Sequence, residues 1–129
     1  MKKIITFITF LILTSLSAQT PLTLKLNMYE RFVASSLLPE KASFSEWKII
    51  NDLKNELAPT EAELKAIDLK PLPDAGGVTA NWGAVKEKEI VFGETTERII
   101  ANALKKLDKE SGLLVEHLSL YEKFVKEDQ

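Results

Sequence analysis

Apolar positions recur with a helical period in five stretches of the chain. The strongest is 94–109, where Ile99, Ile100, Ala103, Leu104 and Leu107 share one face and Arg98, Asn102, Lys105 and Asp108 lie opposite. Glu94 and Glu97 stand at its start and lysines at its end, the order that complements a helix dipole. A helix of this length needs a packed face to be stable, so the rest of the chain is expected to cover it.

Upstream, the capping pattern of a short polar residue followed three places later by glutamate occurs three times: Asn27 with Glu30, Ser43 with Glu46, and Thr60 with Glu63. Each opens an apolar stripe. The first, over 28–37, carries Tyr29, Phe32, Val33, Ser36 and Leu37 and stops before Pro39. The second, to about residue 57, carries Phe44, Trp47, Ile50, Leu53 and Leu57. The third is shorter and holds Leu64 and Ile67. The last stretch, 115–126, shows two adjacent stripes: Leu114, Leu118, Tyr121 and Val125 beside Leu113, His117, Leu120 and Phe124. So broad an apolar face implies deep burial or cover by a second molecule, and Leu113, His117, Leu120 and Phe124 are its candidate interaction face. Ser111 and Gly112 separate the two final helices, with Gly112 suited to the left-handed turn.

Between the third and fourth helices the period shortens to two. Pro71, Pro73, Asp74, Gly76 and Gly77 mark turns; Val78, Ala80 and Trp82 then alternate with polar residues, and a second alternating run over 86–92 places Ile90 and Phe92 on one parity. These two runs are expected to form an antiparallel β-hairpin against the helices, with residues 69–72 as a candidate third strand. Leu22, Leu24 and Leu26 also alternate, as a short strand or an extended arm. The fold class is therefore α+β, a compact, mainly helical domain of about five helices with one small antiparallel β-hairpin.

The N-terminus stands apart from this pattern. Lys2 and Lys3 precede an apolar run over residues 4–16, and Ser15, Ser17 and Ala18 supply small residues before Gln19, the layout of a secretory signal peptide. The run is about 13 residues, short of the roughly 20 that span a bilayer. Residues 1–18 are expected to be a leader and 19–129 a single domain, periplasmic or secreted by bacterial export, with no stable membrane anchor after cleavage. Of 129 residues, removing 18 leaves 111, enough for a real core.

Composition narrows the function classes. There is no cysteine, hence no disulfide, thiol nucleophile or cysteine metal site. The 17 basic residues, less Lys2 and Lys3, face 19 acidic ones, a net charge of −4 that gives no footprint for nucleic acid. His117 is the single histidine and has no second histidine for a metal site. Asp52, Glu56, Glu61, Glu63, Glu87 and Glu89 admit a carboxylate pair for glycosidic hydrolysis, although most stand beside lysines as a solvated face would. The Gly76–Gly77 pair lacks the rest of a phosphate loop, and the serines show no nucleophile elbow. Trp47 and Trp82, each on an apolar parity, are expected in the core rather than on a ligand platform. No catalytic, cofactor-binding or metal residue is assigned.

The segments LNMYERFVASSLLPE, FSEWKIINDLKNELAPTEAEL and ALKKLDKESGLLVEHLSLYEKF give the chain a resemblance to a group of short bacterial and phage-associated reading frames of no known function. That resemblance implies a compact helical fold and carries no activity. The expectation is a non-enzymatic protein-interaction or accessory module of the cell envelope. Its alternatives are a small carboxylate-dependent hydrolase and a self-assembling homodimer. Intact-mass measurement of the protein recovered from a bacterial periplasm or medium should give a chain starting at Gln19, or at Ala18 if cleavage falls one residue earlier. Recovery from the cytoplasm with residues 1–18 attached would overturn the export reading.

Overall fold

The computed structural model describes residues 21–74 and 76–125; the leader expected over 1–18, and the end expected for the last helix at Lys126, lie outside them. Five α-helices are seen among the described residues, α1 (Met28–Ser36), α2 (Phe44–Leu57), α3 (Glu61–Ile67), α4 (Glu94–Lys109) and α5 (Leu118–Phe124). The strands are β1 (Leu22–Leu26), β2 (Lys70–Pro71), β3 (Val78–Thr79) and β4 (Lys88–Phe92), all paired antiparallel. The α+β class expected from the chain is what is observed.

All three capping boxes form. The side chains of Asn27, Ser43 and Thr60 accept from the backbone N–H of Glu30, Glu46 and Glu63, and each glutamate returns a bond to the cap N–H. Strand pairing is where the structure departs from expectation. Residues 78–82 and 86–92 do not form a hairpin. β4 pairs instead with β1, in the register Leu22↔Phe92, Leu24↔Ile90 and Leu26↔Lys88, while β3 closes a very short hairpin with β2. Ile90 and Phe92 can be buried on one face only if the ribbon lies on the helices. β1 brings Leu22, Leu24 and Leu26 to that same face, whereas Val78 is exposed. Matching apolar faces decided the pairing over nearness in sequence. Trp82 consequently leaves the sheet and sits in a 3₁₀ turn (Trp82–Ala84), its ring edge-on to Tyr29 at 5.1 Å and to Phe32 at 5.2 Å.

The core runs through Leu26, Val33, Ile50, Leu53, Leu57, Ile90, Phe92, Ile100, Leu104, Leu120 and Phe124, with the Phe92 and Phe124 rings edge-to-face at 4.9 Å. Helix α4 buries Ile100 and Leu104, as its period requires. Two expected details are corrected. Phe44, assigned to the α2 stripe, is exposed, with Lys48 Nζ 5.6 Å from its ring centroid. The left-handed residue after α4 is Ser111 (φ 56°), not Gly112. Ser111 N–H donates to the Asp108 carbonyl and Gly112 N–H to the Leu107 carbonyl, a Schellman closure set one residue earlier. A Cβ at Gly112 would stand 3.3 Å from Leu107 Cδ2, so glycine there spares that side chain a shift of a few tenths of an ångström.

Helix α1 is the hub. Neighbouring charged residues on it, Glu30 and Arg31, are both buried and point to different partners. Arg31 Nε donates to the Leu57 carbonyl (3.2 Å) and Nη2 to the Ala58 carbonyl (2.9 Å), so the guanidinium caps the end of α2. Nη1 and Nη2 also grip Glu63 bidentately, both at 3.0 Å, at the start of α3. One side chain thus fixes three helices. Arg31→Ala should destabilise the fold by about 3–5 kcal/mol, since it strands two helix-end carbonyls and a carboxylate. Glu63, which keeps some water contact, should cost less on Glu63→Gln, about 1–3 kcal/mol. Urea unfolding followed by circular dichroism reads both, and a loss under 1 kcal/mol for Arg31→Ala would mean that water replaces the guanidinium freely.

Candidate functional site

The candidate interaction face divides on folding. Leu120, Phe124 and His117 are buried by the chain's own helices and strands, and Leu113 is half-buried against the same core. That stripe is core, not a free surface. The neighbouring stripe is the one exposed at its leading end: Leu114 and Leu118 keep 58% and 52% of their surface in contact with solvent, and Val115 beside them keeps 84%. The division has a local cause. Residues 115–117 form a 3₁₀ turn instead of the first turn of an α-helix, and only from Leu118 does α5 run. A 3₁₀ turn winds three residues per turn against 3.6, which shifts the phase of 114 and 115 relative to the helix after them.

His117 builds that turn. Its Nδ1 accepts the Leu114 N–H at 2.9 Å, so the ring serves as a cap for the segment that carries the exposed residues. Spacing places His117 half-buried on a helix; it is instead buried and lies in the 3₁₀ turn, and its capping bond was not legible from spacing.

The exposed aliphatic residues line a shallow groove of about 740 Å³ together with Tyr29, Glu116, Ser119 and Glu122. Tyr29 is half-buried. Burial, together with the charge of Glu116 and a hydrogen bond to it, pushes the phenol above its ordinary range and holds it protonated. Behind the groove lies Glu30. Burial alone would raise its carboxyl, but the Asn27 backbone N–H, Lys123 (2.9 Å) and the Ser119 hydroxyl outweigh that and hold it below its ordinary value. Lys123 Nζ also donates to the Lys25 carbonyl, tying α5 to β1 beneath the groove.

The carboxylates expected to be able to form a catalytic pair take other places. Asp52, Glu56, Glu61, Glu87 and Glu89 are exposed. Asp52 and Glu56 edge a second cleft, of about 380 Å³, with Ile49, Val91 and the Glu94–Thr96 turn. Glu63 is held low, first by the Arg31 hydrogen bonds and then, against the effect of burial, by the Thr60 N–H and the charges of Arg31 and Lys88. Glu30 and Glu63 are thus both held ionised, whereas a general acid needs its pKa raised. Among the described residues no three acidic or histidine side chains converge on a metal-sized space, and every buried side-chain nitrogen or oxygen has a partner. No described helix is long and apolar enough to cross a membrane.

No family model, curated protein or solved structure matches the chain.

Both Glu30 and Glu63 have folded-state pKa values below the ordinary 4.5. Their contribution is complete above that value and is lost as pH falls through the lower, folded values. Melting temperature should therefore be level from pH 7 to about 5 and drop below about 4.5, and the paired substitution Glu30→Gln and Glu63→Gln should flatten the acid limb. An unchanged acid limb in that variant would place the acid sensitivity elsewhere.

Proposed function

We propose that the protein is an exported, non-enzymatic interaction module of the bacterial cell envelope and that it binds its partner through the 114–118 surface. The observation that carries this reading is the exposure of Leu114, Val115 and Leu118 beside Tyr29. Scattered aliphatic residues on a surface are ordinary, but three on one turn that share a groove form the contiguous patch expected of a contact site. The leader expected over residues 1–18 supplies the envelope location.

The homodimer alternative loses the stripe on which it was first drawn, because Leu120 and Phe124 are interior. The hydrolase alternative rests on exposed carboxylates, none of which is seen paired with another acid in a closed site.

The test is affinity capture from an envelope extract of the source bacterium, using the exported protein with a C-terminal tag. Its comparison is the doubly substituted Val115→Ser, Leu118→Ser protein, whose changed residues are exposed and should leave the circular dichroism spectrum and melting unaltered. A stoichiometric partner held by the unsubstituted protein and lost by the variant is the expected outcome. Capture that is indifferent to the two substitutions would remove the 114–118 surface from the function.

A further inference from the structure

The groove has a chemical sign as well as an apolar floor. Its two charged side chains, Glu116 and Glu122, are both acidic, and no lysine or arginine lines it. The nearest ammonium on α5, Lys123, is turned the other way and committed to Glu30 and the Lys25 carbonyl. Tyr29, from α1, lines the same groove beside Glu116.

From this we infer that the occupant is a cationic amphipathic segment of another protein: an aliphatic stripe seated on Leu114, Val115 and Leu118, with flanking lysine or arginine side chains reaching Glu116 and Glu122. The inference rests on the interaction-module reading and adds the chemistry of the partner to it. Complementary charge fixes orientation and suppresses wrong partners. A second copy of this chain is disfavoured by the same argument, because a two-fold contact through the groove would set Glu116 and Glu122 against their own equivalents. An anionic membrane surface is disfavoured too, since the acidic rim would face lipid phosphates.

The test uses a synthetic amphipathic Leu/Lys helical peptide and its Leu/Glu counterpart of equal length, titrated into isotopically labelled exported protein and followed by amide chemical shifts. The Leu/Lys peptide should bind at least about tenfold tighter than the Leu/Glu peptide, with shifts centred on 114–119 and Tyr29. The pair Glu116→Gln and Glu122→Gln should weaken that binding by about tenfold and flatten its salt dependence. Glu87→Gln with Glu89→Gln, on β4 and the loop before it, should leave it unchanged.

Each of these results would overturn the inference: no binding of the Leu/Lys peptide; equal weakening by the remote pair, which would mean unspecific attraction to an acidic protein; tighter binding of anionic vesicles through the same amides; or self-association through 114–118 in light scattering. The two readings fail separately. A captured envelope partner that depends on Val115 and Leu118 but is not displaced by the Leu/Lys peptide would defeat the cationic occupant alone. Capture indifferent to those residues would defeat the surface itself.

Discussion

The arrangement of the helices depends on one buried guanidinium. The last carbonyls of α2 and the first turn of α3 meet at 57–63, where the Leu57 carbonyl is buried and needs a donor from the protein. Arg31 supplies them with a planar set of donors and meets the Glu63 carboxylate with the rest. A lysine could not serve as well, because a point charge cannot address two carbonyls and a bidentate carboxylate in one plane. The consequences extend past the contact. Once α3 is set, the Ile67 carbonyl receives the Asn81 N–H at 2.7 Å, and that bond delivers Trp82 to Tyr29 and Phe32 on α1. The loop between α3 and β4 is thereby returned to the helix from which the ordering began.

Glu30, one residue earlier, does for the other side of α1 what Arg31 does for its own. Its carboxylate closes the Asn27 cap and receives Lys123, which reaches on to the Lys25 carbonyl. Charges placed so deep add little net stability over well-packed apolar groups of equal size. What they contribute here is definition: an apolar helix could rotate or slide between α2 and α5, whereas a helix carrying opposite charges 100° apart, each with one matching socket, has one orientation. The hydrophobic core of Ile50, Ile100, Leu104 and Leu120 supplies cohesion, and the two ion pairs select among the ways it could be assembled.

How much of this was legible follows from range. The five helices were readable because their signals are local: caps at Asn27, Ser43 and Thr60, and the period of 94–109. The β1–β4 pairing was not, because it joins segments some sixty residues apart, and a run such as 86–92 states which face is apolar but not which strand will share it. The α1 face was read from its apolar residues alone. That reading recovers Val33 but misses Arg31, since a buried charge becomes intelligible only when its partner, here 32 residues away, is known. At the candidate site the width of the apolar face near 113–125 was correctly seen, and its division was not. Spacing treats the segment as one α-helix, and the 3₁₀ turn that changes its phase is set by His117 folding back onto the Leu114 N–H.

That turn also explains why exposure here is informative. Leu113, His117, Leu120 and Phe124 complete the core, and in an unbroken helix the residues one step round would lie along its shoulder, partly covered. The tightened turn lifts Leu114 and Val115 away from the interior, and Val115 keeps 84% of its surface, so its isopropyl group adds almost nothing to the packing. A polar residue at 115 would serve the fold equally well and the solvent better. The glutamates share that surface, since Glu116 and Glu122 line one groove with the exposed aliphatic residues and with Tyr29 from the hub helix. Residues that the fold does not require, held in a fixed arrangement by residues that it does, are what a recognition surface needs, because a preformed contact loses less conformational entropy on binding.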